Sequence, residues 1–243
     1  MCDDWMPFQK LPLTIEQFHR LPRNGAYKYE YIDGETWLTP RPKHYHALLD
    51  LRPLESADAV PMRRLEADDW KKLEPIFAGA FHDIQPFGSL DDEARREAAK
   101  VCLERTRTGS DGPLIESACF VALDEKRCVG AILITLLPDV DPTDWDAFRW
   151  PEPPPADCLE LRLGRPHLTW IFVGPWHKGE GTGTALLAAA VRELLALGYK
   201  ELASTFLSAN ESSMLWHWRN GFRLLPYPGS KREMKKRFGK SGG

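Results

Sequence analysis

Apolar residues recur along the middle and the end of the chain in two ways, as repeats every three to four positions and as short continuous runs. The repeats predict four helices, over residues 65–81, 91–107, 182–197 and 211–220. The runs are rich in strand-forming residues and predict six strands, over residues 47–54, 117–123, 128–137, 167–173, 202–207 and 222–227. Helices and strands along the same stretch of sequence predict a mixed α/β domain.

Three segments depart from this pattern. Residues 1–46 are rich in proline, tyrosine and charge, and we expect them to form an N-terminal extension. Residues 138–166 carry many prolines and predict a long loop, because proline lacks the backbone N–H that regular structure needs. Residues 229–243 are basic and predict a solvated tail. The main domain is therefore expected over residues 47–228.

Composition places the chain in the soluble globular class, with 43% hydrophobic residues and 32 basic against 35 acidic side chains. The formal net charge of -3 gives no overall attraction to nucleic acid or anionic lipid. The five cysteines are widely spaced and form no Cys-x-x-Cys pair, which argues against a disulfide framework and a zinc site. The acidic start and the lack of about 20 consecutive apolar residues predict a cytoplasmic location, with no membrane or nucleic-acid partner.

The chemically informative segment lies between the strand at 167–173 and the helix at 182–197. Gly179, Gly181 and Gly183 occupy alternate positions there, and they let the backbone turn tightly and approach a ligand. Their N–H groups and the four free donors of the new helix favour an anion, and a pyrophosphate suits such a site. A nucleotide P-loop would end in Gly-Lys-Ser/Thr, and a dinucleotide fingerprint would need an acidic residue after the next strand, so neither alternative fits.

The run from Lys178 to Gly183, with Val173 ending the strand, resembles the Gln/Arg-x-x-Gly-x-Gly/Ala signature of the GNAT superfamily of acetyl-CoA-dependent N-acetyltransferases. Downstream, Asn210 and the run 214–222 are similar to the family's Asn in front of a helix and its Tyr-x-x-x-Gly-Phe ending. The resemblance implies an α+β fold whose central, mostly antiparallel sheet is twisted, splays at the acetyl-CoA site and is flanked by helices.

The same resemblance implies an enzyme that moves the acetyl group of acetyl-CoA to an amine by direct transfer in a ternary complex. The acceptor would be a small molecule or a protein, no metal would take part, and a homodimer is one possible arrangement. Contacts to acetyl-CoA are expected at the strand end, the turn, the first turn of the helix and the later Asn, namely Ile171, Phe172, Val173, Lys178, Gly179, Glu180, Gly181, Thr182, Gly183, Thr184 and Asn210.

Two residues depart from the family pattern. Lys178 replaces the usual Gln or Arg, which keeps a donor near the phosphates but loses the planar donor fork. His217 stands where the family commonly has a Tyr that protonates the departing thiolate. A histidine is able to donate a proton as well, so His217 is the candidate acid. The alternative is that His217 only fills space beside Trp216 and Trp218.

His167 is the candidate base. It lies six positions before Val173, at the offset where histone-type members of the family carry a catalytic Glu. Strand alternation predicts that His167 shares a face with Thr169, Ile171 and Val173, and an ordinary imidazole pKa of about 6.5 would suit proton transfer. A role as a partly exposed strand start is the alternative, and a carboxylate of the loop at 138–166 would then be the base.

Two further functions stay open. A degenerate GNAT domain would bind acetyl-CoA as a sensor or scaffold without acetylating anything. The first 45 residues, with Leu13-Thr14-Ile15-Glu16-Gln17-Phe18 and a predicted hairpin turning at Asp33-Gly34, resemble the opening of the Uma2-like family, which has a nuclease-like fold. The nearest metal-binding pattern, Asp124-Glu125-Lys126, predicts a polar hairpin turn instead, so a nuclease is the weaker interpretation.

Overall fold

A computed structural model describes residues 9–23, 27–40, 44–55, 61–141, 150, 153–207 and 210–226. Its strands are β1 (Gln9–Leu11), β2 (Tyr27–Ile32), β3 (Glu35–Pro40), β4 (His44–Asp50), β5 (Met62–Arg64), β6 (Phe120–Asp124), β7 (Arg127–Pro138), β8 (Gly164–Val173), β9 (Glu201–Leu207) and β10 (Arg223–Leu224). Its α-helices are α1 (Ile15–Arg20), α2 (Asp69–Ala80), α3 (Asp92–Arg107), α4 (Thr182–Ala196) and α5 (Glu211–Arg219). The predicted basic tail lies outside the described residues.

Two of the four main helices, α3 and α5, begin after a side chain that caps their first turn. The Asp91 carboxylate accepts from the Ala94 N–H at 2.8 Å before α3, and the Asn210 amide oxygen accepts from the Ser213 N–H at 3.0 Å before α5. Gly198 has a φ of 86° just after α4, the left-handed conformation that commonly ends a helix. The predicted helices agree with α2 to α5 to within a few residues, and these local signals account for the starts of α3 and α5 and the end of α4.

The N-terminal residues form a small sheet of their own, with strand order β1-β3-β2. The predicted turn joins β2 and β3, and positive φ values of 51° at Asp33 and 83° at Gly34 are those of a tight hairpin turn. The Tyr27 hydroxyl donates to Gln85 Oε1 at 3.2 Å and so connects this sheet to the loop between α2 and α3. The likeness of this segment to the Uma2-like family remains a prediction.

Seven strands form the main sheet in the order β10-β4-β9-β8-β7-β6-β5. Every described neighbour pair is antiparallel except β8 and β9, which run parallel. Helix α2 packs on one face, where Phe77 contacts Trp170 and Phe172 of β8. Helices α4 and α5 lie on the other face, where the Phe206 ring of β9 stacks on His217 of α5. The predicted α+β class with a mostly antiparallel sheet and flanking helices is confirmed.

The strand predictions fail mainly at the ends of the sheet. Strand β5 has three residues and was not predicted, and β10 is limited to Arg223 and Leu224 although residues 222–227 were expected. Strand β8 begins at Gly164 and contains Pro166, inside the predicted loop. Proline is tolerated there because the ladder from β8 to β9 begins only at His167, so Pro166 has a single neighbouring strand.

The start of α2 is tied to the edge strand β5 by a buried carboxylate. Asp69 is fully buried, and Arg63 donates to its two oxygens from Nη1 at 2.5 Å and Nη2 at 2.8 Å. Lys72 Nζ lies 3.2 Å from the same group. Hydrogen bonds from the Arg63 guanidinium hold the pKa of Asp69 well below its usual range. The negative charge of Asp69 is therefore compensated by Arg63 and Lys72, and these contacts hold the first turn of α2 against β5.

Replacing Asp69 with alanine removes its hydrogen bonds with Arg63, whose side chain is 32% exposed and stays partly hydrated, so we expect the free energy of unfolding to fall by about 1–3 kcal/mol. Because the folded pKa is lowered, this contribution is complete at neutral pH and is lost as the pH falls below the ordinary Asp value of about 4. Urea unfolding at pH 7 measures the effect. Glu97→Ala, which removes an exposed partner of Lys100, is the control and should change stability by less than about 0.5 kcal/mol.

Candidate active site

The main sheet opens between its two parallel strands. Strands β8 and β9 pair only at His167 with Ala203 and at Leu168 with Ser204. Beyond these pairs β8 stays paired with β7 and β9 stays paired with β4, so the two strands separate. The result is a cleft through the sheet with backbone groups along both walls.

The β8 wall presents the amides of alternate residues. The Gly174 N–H donates to the Val129 carbonyl of β7 at 2.7 Å, so the amide of Gly174 points away from the cleft. By strand alternation the amide of Phe172 points the same way, and those of Ile171 and Val173 point into the cleft. Of the three predicted contacts on this strand, Ile171 and Val173 have the suitable backbone orientation.

The glycine-rich turn follows β8 directly. Gly179 and Gly181 have φ values of 87° and 81°, and a Cβ on either glycine would meet no atom within 4 Å. The turn is held from both sides, since Pro175 packs against Gly79 of α2 and His177 Nδ1 lies 3.3 Å from Glu180 Oε2. A fixed backbone with open space above it is suited to a ligand that approaches the main chain closely.

Helix α4 starts from this turn without a side-chain cap. The N-cap residue is Gly181, and the Ala185 N–H is the first to bond within the helix, to the Gly181 carbonyl at 2.9 Å. The N–H groups of Thr182, Gly183 and Thr184 therefore remain as donors without an intrahelical acceptor. Together with the positive end of the helix dipole these donors are suited to an anion, and the pyrophosphate contact expected from the sequence remains a prediction.

Two charged side chains of the turn point away from these donors. Lys178 Nζ donates to the Ala80 carbonyl at 3.3 Å, where its charge suits the C-terminal end of α2. The Glu180 carboxylate lies beside His177. In this conformation the turn offers the anion its backbone donors, and the proposed contact of the Lys178 side chain with phosphate remains a prediction.

A β-bulge interrupts β8 within the cleft region. Leu133 and Ile134 are neighbours on β7, whereas their partners on β8 are Trp170 and Leu168, so Thr169 is an extra residue. An extra residue shifts the alternation of side chains along the strand. Odd-numbered side chains before Thr169 therefore point to the opposite face of the sheet from odd-numbered side chains after it.

Beyond the bulge the two faces of β8 are clear. The Phe172 ring lies 5.2 Å from the ring of Phe77 on α2. Ile171 points to the opposite face, because its Cδ1 lies 4.0 Å from the position of a Cβ on Gly183 of α4. Odd-numbered residues after the bulge therefore face α4.

His167, before the bulge, faces α2 instead. Its Nε2 lies 3.1 Å from the hydroxyl of Thr205 on β9. Thr205 alternates with Ser204, whose hydroxyl lies 2.8 Å from His217 Nε2 of α5, so Thr205 and His167 lie on the other face. The expectation that His167 shares a face with Ile171 and Val173 is wrong, because the bulge inverts the alternation between them.

His167 lies at the point where β8 and β9 separate, and its ring nitrogens contact hydroxyl groups on both strands. Its Nδ1 lies 3.1 Å from the Thr169 hydroxyl, which lies 2.8 Å from the Thr135 hydroxyl of β7. The side chain is buried, and desolvation, with a smaller effect of His46, lowers its pKa to about 3. The expected ordinary pKa is thus corrected, since burial keeps the ring neutral near pH 7.

His217 is buried to 2% exposure and is also neutral, because desolvation lowers its pKa to about 4. Its Nδ1 lies 2.7 Å from the Ser213 carbonyl, which only accepts, so Nδ1 carries the hydrogen. Nε2 then accepts from the Ser204 hydroxyl at 2.8 Å. With both nitrogens engaged, the ring connects α5 to β9, and a role as the acid remains a prediction.

Asn210 is the N-cap residue of α5, and only the oxygen of its side-chain amide is used in capping the helix. Its oxygen accepts from the Ser213 N–H and from the Ser212 hydroxyl, both at 3.0 Å. The Nδ2 donor makes no hydrogen bond within the described residues, so it is the part of Asn210 suited to a ligand.

Several neighbours of the cleft were not predicted as site residues. Thr135 and Thr205 approach His167 from β7 and β9, and Trp216 of α5 lies against Gly183. Each is distant in sequence from the residue it meets, and no pattern in the chain indicates the contact. The described residues contain no cluster of three histidine, cysteine or carboxylate side chains suited to a metal ion, and no helix among them is long and apolar enough to cross a membrane.

An α+β sheet that opens between two parallel strands, with an anion-binding turn at the start of a long helix, defines a protein that holds an extended, phosphate-bearing ligand. The family model described as "Acetyltransferase (GNAT) family" matches residues 70–222, more than half of the chain. The chain belongs to this family and is therefore an acyltransferase that uses acetyl-CoA.

Solved structures similar to the chain include three acetyltransferases of low identity. The PaiA N-acetyltransferase from Thermoplasma acidophilum, in complex with coenzyme A, is 15% identical, with 71% of this chain and 95% of that one covered and a TM-score of 0.47. A GNAT family acetyltransferase from Brucella melitensis, in complex with acetyl-CoA, is also 15% identical, with 69% and 87% covered and a TM-score of 0.44. A GCN5-related N-acetyltransferase from Sphaerobacter thermophilus is 13% identical, with 76% and 50% covered and a TM-score of 0.48. A search of curated proteins gave no match.

Gly181→Val should abolish the rise in melting temperature that saturating acetyl-CoA produces in the wild type, because the new side chain would occupy the open space above the turn. Gly34→Val is the matched control, since Gly34 also has a positive φ of 83° and open space at its Cβ. Both variants should lose stability from backbone strain, by about 1–2 kcal/mol. Thermal unfolding with and without ligand measures both effects, and an undiminished shift in Gly181→Val would refute this site.

Proposed function

We propose that this chain transfers the acetyl group of acetyl-CoA to an amine by direct attack in a ternary complex. The observation that carries the proposal is the cleft itself, which opens between β8 and β9 beyond their two paired positions. A thioester that enters from the α4 side and an amine that arrives from the α2 side would meet directly in the cleft, so no acetylated enzyme would be needed.

The coenzyme is proposed to lie along the β8 wall. Its pyrophosphate would accept from the N–H groups at the start of α4, and the amides of Ile171 and Val173 would pair with those of the pantetheine arm. The Asn210 Nδ2 is a further donor at the β9 side. The thioester would then reach the region of the bulge, where a backbone N–H would stabilise the oxyanion that forms on attack.

His167 is the proposed base, with a role that differs from the one its sequence position suggested. A ring of such low pKa is a poor acceptor for the proton of a free ammonium, so the amine must arrive neutral. Once the nitrogen has attacked the carbonyl carbon it becomes positively charged and much more acidic, and a weak base is then sufficient. His167, directly or through the Thr205 hydroxyl, would take that proton while the carbon–sulfur bond breaks and coenzyme A leaves as thiolate.

The proposed acceptor is an amine on a small molecule or a protein. Aromatic and acidic residues of the loop at 138–166 could line an acceptor site, but Asp139 pairs with Arg165 at 3.1 Å and the Trp150 indole donates to the Leu136 carbonyl at 2.9 Å, so both have local partners. Trp145 and Phe148 lie outside the described residues. A screen of amino acids, polyamines, aminoglycosides and peptide N-termini by thiol release identifies the acceptor. If no tested amine causes release of coenzyme A, the result favours the alternative of a non-catalytic acetyl-CoA sensor.

Direct transfer makes a prediction that needs no acceptor. The Ser204 hydroxyl donates to a neutral histidine, an arrangement that can activate a nucleophile, so Ser204 is a residue whose acetylation would reveal a covalent route. Ser204 is nevertheless buried to 1% exposure beneath α5, so we expect no acetylated protein after incubation with acetyl-CoA alone. Intact-mass spectrometry measures this, and an acetyl adduct that disappears in Ser204→Ala would establish a covalent route instead.

With an acceptor in hand, His167→Gln should lower kcat by roughly 10²-fold while the affinity for acetyl-CoA stays unchanged. The low-pH side of the kcat/KM profile should follow the pKa of the amine in both proteins, because only the neutral amine attacks. Steady-state rates between pH 6 and 10 check both statements. An unchanged kcat in the variant would remove His167 as the base, and a limb that does not follow the amine pKa in the wild type would contradict attack by the neutral amine.

A further inference from the structure

Trp216 borders the anion site although it comes from a different part of the chain. A Cβ on Gly183, in the first turn of α4, would lie 3.3 Å from Trp216 Nε1 and 3.7 Å from its Cε2. The same position lies 4.0 Å from Ile171 Cδ1 on the cleft wall. The nitrogen edge of the indole is thus beside the free donors of α4, on the face where the coenzyme is proposed to enter.

The indole N–H has no acceptor in the part of the chain that the structure describes. Trp216 Nε1 makes no hydrogen bond there, whereas the indoles of Trp150 and Trp170 donate to Leu136 and Thr106. The residue against which it lies, Gly183, belongs to the first turn of α4, whose N–H groups are themselves donors without an intrahelical acceptor. A set of donors without an acceptor is completed by oxygen atoms that carry negative charge.

We propose that the Trp216 indole N–H donates to a phosphate oxygen of coenzyme A, which makes Trp216 a positioning residue for the acyl donor. The proposal rests on acetyl-CoA binding at the turn. It also explains the glycine at 183, since any side chain there would push the indole away from the helix start. Through Trp216 the anion site gains a donor from α5, the helix that also holds His217.

The two other tryptophans near this region serve as references. Trp218 lies on α5 as well but is 72% exposed, and Trp176 in the turn is 91% exposed. Neither is packed against the start of α4 in the described contacts. Trp218→Phe is therefore the matched control for Trp216→Phe, because both remove an indole N–H from the same helix and retain a ring.

The test measures the dissociation constants of coenzyme A and of acetyl-pantetheine, which lacks the pyrophosphate, by isothermal titration calorimetry. Trp216→Phe should weaken coenzyme A binding about tenfold or more, as expected for a hydrogen bond to a charged group, and should leave acetyl-pantetheine binding nearly unchanged. Trp218→Phe should change neither. No loss in Trp216→Phe, or an equal loss for both ligands, overturns the proposal. A wild-type protein that binds no coenzyme A would instead contradict acetyl-CoA binding at the turn, which is the underlying proposal.

A second measurement does not depend on how well Trp216→Phe folds. In the ¹⁵N-labelled wild type, the indole N–H resonance of Trp216, assigned by its absence in the variant, should move downfield on addition of coenzyme A. Acetyl-pantetheine should leave it in place, and the resonance of Trp218 should respond to neither ligand. A Trp216 resonance that does not respond to coenzyme A contradicts the phosphate contact.

Discussion

The separation of β8 from β9 is the constraint on which the rest of this structure depends. Two parallel pairs, at His167 and Leu168, hold the strands together, and each strand then follows its other neighbour. Opening a sheet leaves backbone donors and acceptors in a cleft, which is costly unless water or a ligand satisfies them. The extended amide arm of acetyl-CoA has the polarity that such walls need, which is why the proposed position of the cofactor is in this cleft.

The point of separation is stabilised by side chains that are polar, buried and paired with one another. Thr135, His167, Thr169 and Thr205 meet there through hydroxyl and imidazole groups. Burial keeps the imidazole neutral, because the charged form would lose its hydration. The same environment limits the chemistry, since a neutral ring with low proton affinity suits a proton released late in the reaction.

The glycine-rich turn between β8 and α4 depends on elements from both faces of the sheet. On one face α2 supports it through Gly79 and the Ala80 carbonyl, and the position of α2 is fixed in turn by the buried carboxylate of Asp69. On the other face Trp216 of α5 lies against the first turn of α4. A glycine-rich backbone has little rigidity of its own, so these contacts hold its donors in place.

The sequence by itself determined most of the helices and strands, because their formation depends on local chemistry. Helix periodicity placed α2 to α5 and capping residues marked the starts of α3 and α5, while the alternating glycines ahead of α4 led to the prediction of a phosphate site. Only the tertiary structure decided the orientation of His167, since a single extra residue in β8 inverts a pattern that strict alternation would extend. It also decided the pKa of His167 and the place of Trp216 beside Gly183, because burial and contacts between distant segments arise from packing that no local pattern encodes.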